Sequence, residues 1–122
     1  HPEYKDFLIE LLYHHARELQ LAGETESSEP LLEKLHELTD SYADSHYLHG
    51  WALQNSGADE EAAAQYQRHL RSEPTHSKAR YNLAHALRAL GLREQAKVQL
   101  QTLLQQNPGH SEAEKLLTEL GD

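Results

Sequence analysis

Three glycines, Gly23, Gly57 and Gly91, recur at one fixed interval, a 34-residue period. Pro74 and Pro108 keep the same interval, as do Ala62 and Ala96. So do Tyr13, Tyr47 and Tyr81, and Leu19, Leu53 and Leu87. Several residue classes agreeing on one spacing restrict the chain to a repeat architecture. Each period is then a supersecondary unit that cannot bury its apolar face alone, and stacking neighbours supply the missing partner surface.

One period reads as helix, tight turn, helix, turn. Over 77–110, Ser77 is a candidate first cap. Leu83, Leu87 and Leu90 recur at i, i+4, i+7 on one helix face, and Gly91 closes the helix in the left-handed conformation. A second helix is predicted from Arg93, with Ala96, Leu100, Leu103 and Leu104 as its stripe, until Asn107-Pro108-Gly109 breaks it. The period 43–76 follows the same plan. It has a capping-box-like Ser41-x-x-Asp44, inward Leu48, Ala52 and Leu53, a turn at Asn55-Ser56-Gly57, an Asp59 cap, a stripe of Ala62, Ala63, Tyr66 and Leu70, and a stop at Glu73-Pro74. The first period, about 4–40, is degenerate. Its first helix runs from about Tyr4 to Leu21, Ser28-Glu29-Pro30 reads as the start of the second, and Leu31, Leu32, Leu35 and Leu38 form the stripe. Asp40 stands where the period would place proline. Residues 111–120 open with Ser111-x-x-Glu114, a capping box, and carry Leu116, Leu117 and Leu120 on one face. They read as a terminal helix that covers the last unit.

Composition narrows the function. The 122 residues fit one domain. The net charge is −9, which disfavours nucleic acid and anionic membrane as partners. That charge is uneven: residues 1–50 hold 11 acidic and 3 basic groups, net −8, and residues 51–122 hold 9 acidic and 8 basic, net −1. A basic binding surface is therefore expected in the second half. Cysteine is absent, so disulfides, thiolate metal sites and cysteine nucleophiles are excluded. No apolar run has membrane-spanning length, and no signal peptide or lipidation motif is visible. The compartment stays open between cytoplasm and periplasm, and the Gln-, Ala- and Leu-rich helices suggest a bacterial source. The opening His1-Pro2, without an initiator methionine, reads as a trimmed domain or mature fragment.

The 34-residue helix-turn-helix period resembles the tetratricopeptide repeat (TPR). In the register that ends units at Pro74 and Pro108, the family's small positions hold Gly50 and Ala84, then Ala62 and Ala96, and its large second-helix positions hold Tyr66 and Leu100. The resemblance implies an all-α, right-handed superhelical solenoid of about three repeats plus a C-terminal capping helix. It also implies a protein or peptide ligand in the concave face lined by each unit's first helix. Carried over by position, that face holds Glu10, Tyr13, Arg17 and Gln20; then Asp44, Tyr47, Trp51, Gln54 and Asn55; then Lys78, Tyr81, Asn82, His85 and Arg88. The i, i+3, i+4 spacing places each set on one helix face independently of the family. The aromatic rings offer rigid contact area, or pack against the next unit. Lys78, Arg88 and Arg17, with Asn82 and His85 between them, suit acidic side chains or a chain-terminal carboxylate, or are solvated charges. Repeats that clamp chaperone C-terminal tails place lysine, asparagine and arginine at fixed groove positions. Lys78 matches that pattern, whereas Tyr13 stands in place of a lysine and Arg17 in place of an asparagine, so the full two-carboxylate clamp is not expected.

The chain has ten histidines, among them His14-His15, His36, His46-x-x-His49, His69 and His85. An i, i+3 pair is able to hold a metal, yet no HExxH-like pattern completes one, so no metal or cofactor is expected. His15 and His49 share a repeat position that usually faces inward, and His46 and His69 also fall at normally apolar positions. They read as core or groove histidines, with pH-dependent stability or binding as the alternative. No phosphate loop or nucleophile elbow is present, and no enzyme is expected. The leading expectation is a protein-interaction scaffold in an assembly or maturation complex. The alternatives are an accessory domain that positions the protein substrate of a larger enzyme, or a self-assembling structural repeat.

Overall fold

The computed structural model describes residues 2–121, which form seven α-helices and, among the described residues, no strand. These are α1 (Pro2–Leu21), α2 (Thr25–Leu38), α3 (Ser45–Asn55), α4 (Asp59–Ser72), α5 (Ser77–Ala89), α6 (Arg93–Gln106) and α7 (Ser111–Leu120). Each helix packs on the next in the chain, and α1, α3 and α5 also touch one another in sequence. Three hairpins thus stack side by side, with α7 laid on α6, as an all-α helical-repeat solenoid.

The periodic glycines sit where the backbone needs them. Gly23, Gly57 and Gly91 take φ of 82°, 86° and 78°, the left-handed region. In each turn the next residue's N–H donates to the carbonyl five residues back: Glu24 to Leu19 at 2.8 Å, Ala58 to Leu53 at 2.9 Å, Leu92 to Leu87 at 2.9 Å. This is the glycine-terminated helix end repeated three times, and it explains why the leucine register tracks the glycine register.

Helix starts depart from the sequence expectation by one to three residues. Ser77 and Asp59 are the first helical residues rather than caps; the caps are His76 and Ala58, neither with a side-chain bond. Ser41-x-x-Asp44 forms no capping box, because α3 begins only at Ser45 after a loop in which Ala43 takes φ of 48°. Ser111 is likewise inside its helix: His110 is the cap, and its Nδ1 accepts from the Ala113 N–H at 3.0 Å. The second helix starts at Thr25, not at Ser28-Glu29-Pro30, so Pro30 lies within α2. Ser28 is fully buried and donates to the Thr25 carbonyl at 2.5 Å. Leu90 does not complete an inward face; it caps α5 and is 38% exposed.

Close approach of the two helices in a hairpin is set by one small–large pair per unit. Gly50 meets Tyr66 in the middle unit; the equivalent positions one period away hold Ala16 and Leu32 on one side and Ala84 and Leu100 on the other, and all six are buried. The middle unit uses the smallest and the largest members. A Cβ on Gly50 would lie 2.7 Å from Tyr66 Cε1, inside van der Waals contact. Tyr66 is completely buried, and its hydroxyl donates to Gln54 Oε1 at 2.6 Å.

Neighbouring units are tied by a repeated polar bridge. Gln20 Nε2 donates to the Leu48 carbonyl at 2.8 Å, and Gln54 Nε2 donates to the Asn82 carbonyl at 3.1 Å. Donor and acceptor each advance by one period, so the bridge belongs to the stacking itself. Buried apolar side chains form two clusters. One holds Ile9, Tyr13, Ala16, Leu32, Leu35 and Leu48; the other runs from Leu53 through Tyr66, Leu83 and Leu100 to Leu120. Tyr47 touches both.

Candidate peptide-binding groove

The first helices of three consecutive units bring α1, α3 and α5 into a row. A cleft of about 260 Å³ lies across them, lined by Arg17, Gln20 and Leu21 from α1, Tyr47, Leu48 and Trp51 from α3, and Lys78 from α5. Arg17 and Lys78 are exposed, and neither has an ion-pair partner among the described residues. Two cations from separate helices therefore flank an aromatic wall in a chain of net charge −9.

A second cleft, of about 310 Å³, lies between α5 and α7. Tyr81 and His85 line one side, and Glu112, Lys115, Leu116 and Glu119 the other. Arg88 is engaged beside it: its Nη1 lies 3.4 Å from Glu119 Oε2, with both side chains 46% exposed. Tyr81 stacks edge-on against His85, with ring centroids 4.7 Å apart. Burial, then the Glu112 and Glu119 carboxylates, raise the Tyr81 hydroxyl above the ordinary phenol range. Burial, then the Arg88 charge, hold His85 below the ordinary histidine value.

The residues expected to form one face thus divide. Arg17, Tyr47, Trp51 and Lys78 share the first cleft, and Tyr81 and His85 line the second. Tyr13 and Asn82 are buried rather than presented to a ligand. The Tyr13 hydroxyl donates to Asp44 Oδ1 at 2.5 Å, and its ring meets Tyr42 edge-on at 5.2 Å. Burial, then that bond to the Asp44 carboxylate, push the Tyr13 hydroxyl up to about 12. Gln54 is held by Tyr66 and Asn82, and exposed Asn55 donates to the Trp51 carbonyl at 2.8 Å. His15, expected to face inward, is exposed, because no hairpin stacks on that side of α1 among the described residues, whereas His46, His49 and His69 are buried. Leu21, Leu48 and the α7 face were not foreseen as lining. The α7 set was accessible by continuing the period: Glu112, Lys115 and Glu119 lie one period beyond Lys78, Tyr81 and His85.

Among the described residues, no group of three or more His, Cys, Asp or Glu is arranged to hold a metal ion. No helix among them is long and apolar enough to cross a membrane. What the first cleft offers is an amphipathic aromatic surface between two cations, suited to an extended chain that carries carboxylates.

Stacked helical hairpins with a trough across their first helices define a helical-repeat module. The family model for the tetratricopeptide repeat matches residues 60–120, half of the chain, and the protein belongs to that family. The second TPR domain of human RPAP3, solved in complex with the HSP70 peptide SGPTIEEVD, is similar in fold with a TM-score of 0.83 at 18% identity, over 97% of this chain and 98% of that one. MamA gives a TM-score of 0.86 at 19% identity over 92% of this chain and 66% of its own. A Thermobaculum terrenum O-GlcNAc transferase mutant gives 0.76 at 24% identity over 95% of this chain, which spans 22% of the transferase. No curated protein sequence matches the chain.

Proposed function

We propose that this chain is a protein-interaction scaffold that holds an extended peptide, with acidic side chains or a terminal carboxylate, in the cleft between α1, α3 and α5. The observation that carries this reading is the placement of Arg17 and Lys78 across Tyr47 and Trp51 in one cleft, with neither cation engaged by a carboxylate among the described residues. The peptide held by the RPAP3 domain ends in Glu-Glu-Val-Asp, the same ligand chemistry. The ligand geometry differs, since Tyr13 is buried where a clamp would want a lysine. Such a module serves in an assembly or maturation complex, bringing a client's segment to a fixed place. The match to 22% of a transferase supports a second reading, in which the same cleft positions a protein substrate for a catalytic domain.

Fluorescence anisotropy with labelled SGPTIEEVD tests the reading. Arg17→Ala and Lys78→Ala are each expected to weaken binding roughly tenfold, the effect of losing one charge-assisted hydrogen bond. Amidation of the peptide terminus and added salt should weaken it too, while Asn55→Ala should leave it unchanged. Absence of binding, or equal binding by all these variants, contradicts the proposal.

A further inference from the structure

The junction between the first two units is filled differently from the rest of the solenoid. Where the later units carry Leu70 and Leu104, the first carries His36; where the third carries Leu83, the second carries His49. Leu70 and Leu83 are buried, so the repeat has an apolar solution at these places that the α2–α3 junction does not use. His36 Nδ1 faces His49 Nδ1 at 3.0 Å, and His36 Nε2 faces Ser45 Oγ at 3.0 Å. Two imidazole nitrogens this close share one proton: one donates and the other accepts. A second proton would set N–H against N–H.

His46 completes the cluster, its ring stacked on His36 with centroids 4.2 Å apart. It takes the place held one period later by Arg80. Arg80 donates to Gln99 Oε1 at 2.7 Å and to the Pro74 carbonyl at 2.8 Å. His46 meets Gln65 Oε1 at 2.6 Å and the Asp40 carbonyl at 2.5 Å, the same two positions one period earlier. An imidazole therefore stands where the next unit has a guanidinium, in an otherwise repeated network. The charges acting on His36 are those of His46 and His49 from α3 and Arg68 from α4, all of one sign. Among the described residues, no carboxylate is among the charges that act on His36 or His49, and Asp40 of the intervening loop lines a cleft with His46 and Arg68. The first apolar cluster of the core crosses this junction through Leu48 of α3, so the three rings border that cluster.

We infer that the α2–α3 junction is an acid-sensitive joint, closed when His36 and His49 share a single proton and released when both are protonated. Opening it separates α1, with Arg17 and Gln20, from the α3 wall with Tyr47 and Trp51. Burial, then the His46 charge, hold His36 at about 3 and His49 at about 4, below the ordinary 6.5. Because the folded values lie below the unfolded one, the stability is fully present above about pH 6.5 and is lost as the pH falls towards 4. His69 and His76, 2.7 Å apart at the α4–α5 junction, differ in that Asp44 and Glu73 line the same cleft and soften the repulsion.

The test is urea unfolding of the wild type and the His36→Leu/His49→Leu double variant between pH 7.5 and 4.5. Carboxylate titration is common to both proteins, so the difference isolates the two rings. Close to two extra protons bound by the unfolded chain predict that the folding constant of the wild type falls, relative to the variant, by roughly fiftyfold and at most about a hundredfold per pH unit between about pH 6 and 4.5. Parallel pH profiles overturn the inference. A histidine ring titration by NMR on the wild type alone gives a second reading that needs no variant. His36 and His49 should stay neutral in the folded protein at pH 5.5, and normal titration near pH 6.5 overturns the proposal.

Discussion

Gly50→Ala is expected to destabilise the protein by about 1–3 kcal/mol, the range for overpacking a filled core. In an open helix the same change would stabilise by up to about 1 kcal/mol, because glycine is the poorer helix former. The sign reverses here because the new methyl group would sit 2.7 and 2.8 Å from Tyr66 Cε1 and Cδ1. The ring has no surface to retreat to, and its hydroxyl is held by Gln54. At the equivalent buried positions the other two units carry Ala16 with Leu32 and Ala84 with Leu100. Gly50→Ala combined with Tyr66→Leu reproduces that division and should recover most of the loss. Urea midpoints of the two single variants and the double variant measure the coupling. Additive effects would mean that the pair is not the unit of hairpin packing.

Ala86→Glu is expected to be worse, costing about 3–5 kcal/mol as an uncompensated buried charge. Ala52 and Ala86 are wholly buried on α3 and α5. One period earlier the same place on α1 is Glu18, which is exposed, since no hairpin stacks on that side of α1 among the described residues. Glu18→Ala should therefore change stability by no more than about 0.5 kcal/mol, as for an ordinary surface substitution. The contrast isolates stacking from helix propensity, because all three positions are helical. Comparable thermal shifts for both substitutions would contradict a stack of hairpins.

The repeat was legible because its period is carried by residues with a backbone reason to recur. Gly23, Gly57 and Gly91 all adopt positive φ, and small–large pairs recurring once per period mark where two helices cross. Helix starts were misplaced because Ser77, Asp59 and Ser111 look like caps, yet the preceding residue already closes the turn. Position on a helix face was legible, whereas exposure was not. Tyr13, Tyr47 and Tyr81 share a register, but Tyr13 is buried against Tyr42 and Asp44, which lie in and beside the long loop before α3. Lateral partners of that kind come from the irregular part of the chain, where periodicity carries no information. The polar bridges from Gln20 and Gln54 escaped for a related reason: their acceptors are backbone carbonyls, which every residue possesses.

Trp51 is the only tryptophan of the chain and stands in the wall of the cleft between Arg17 and Lys78. Its emission during titration with unlabelled SGPTIEEVD, run beside calorimetry on the same samples, reports on that cleft directly. A blue shift that saturates with the calorimetric heat, and that disappears in Lys78→Ala at the same peptide concentration, is the predicted result. Heat of binding with the tryptophan spectrum unmoved would place the peptide elsewhere and contradict the groove.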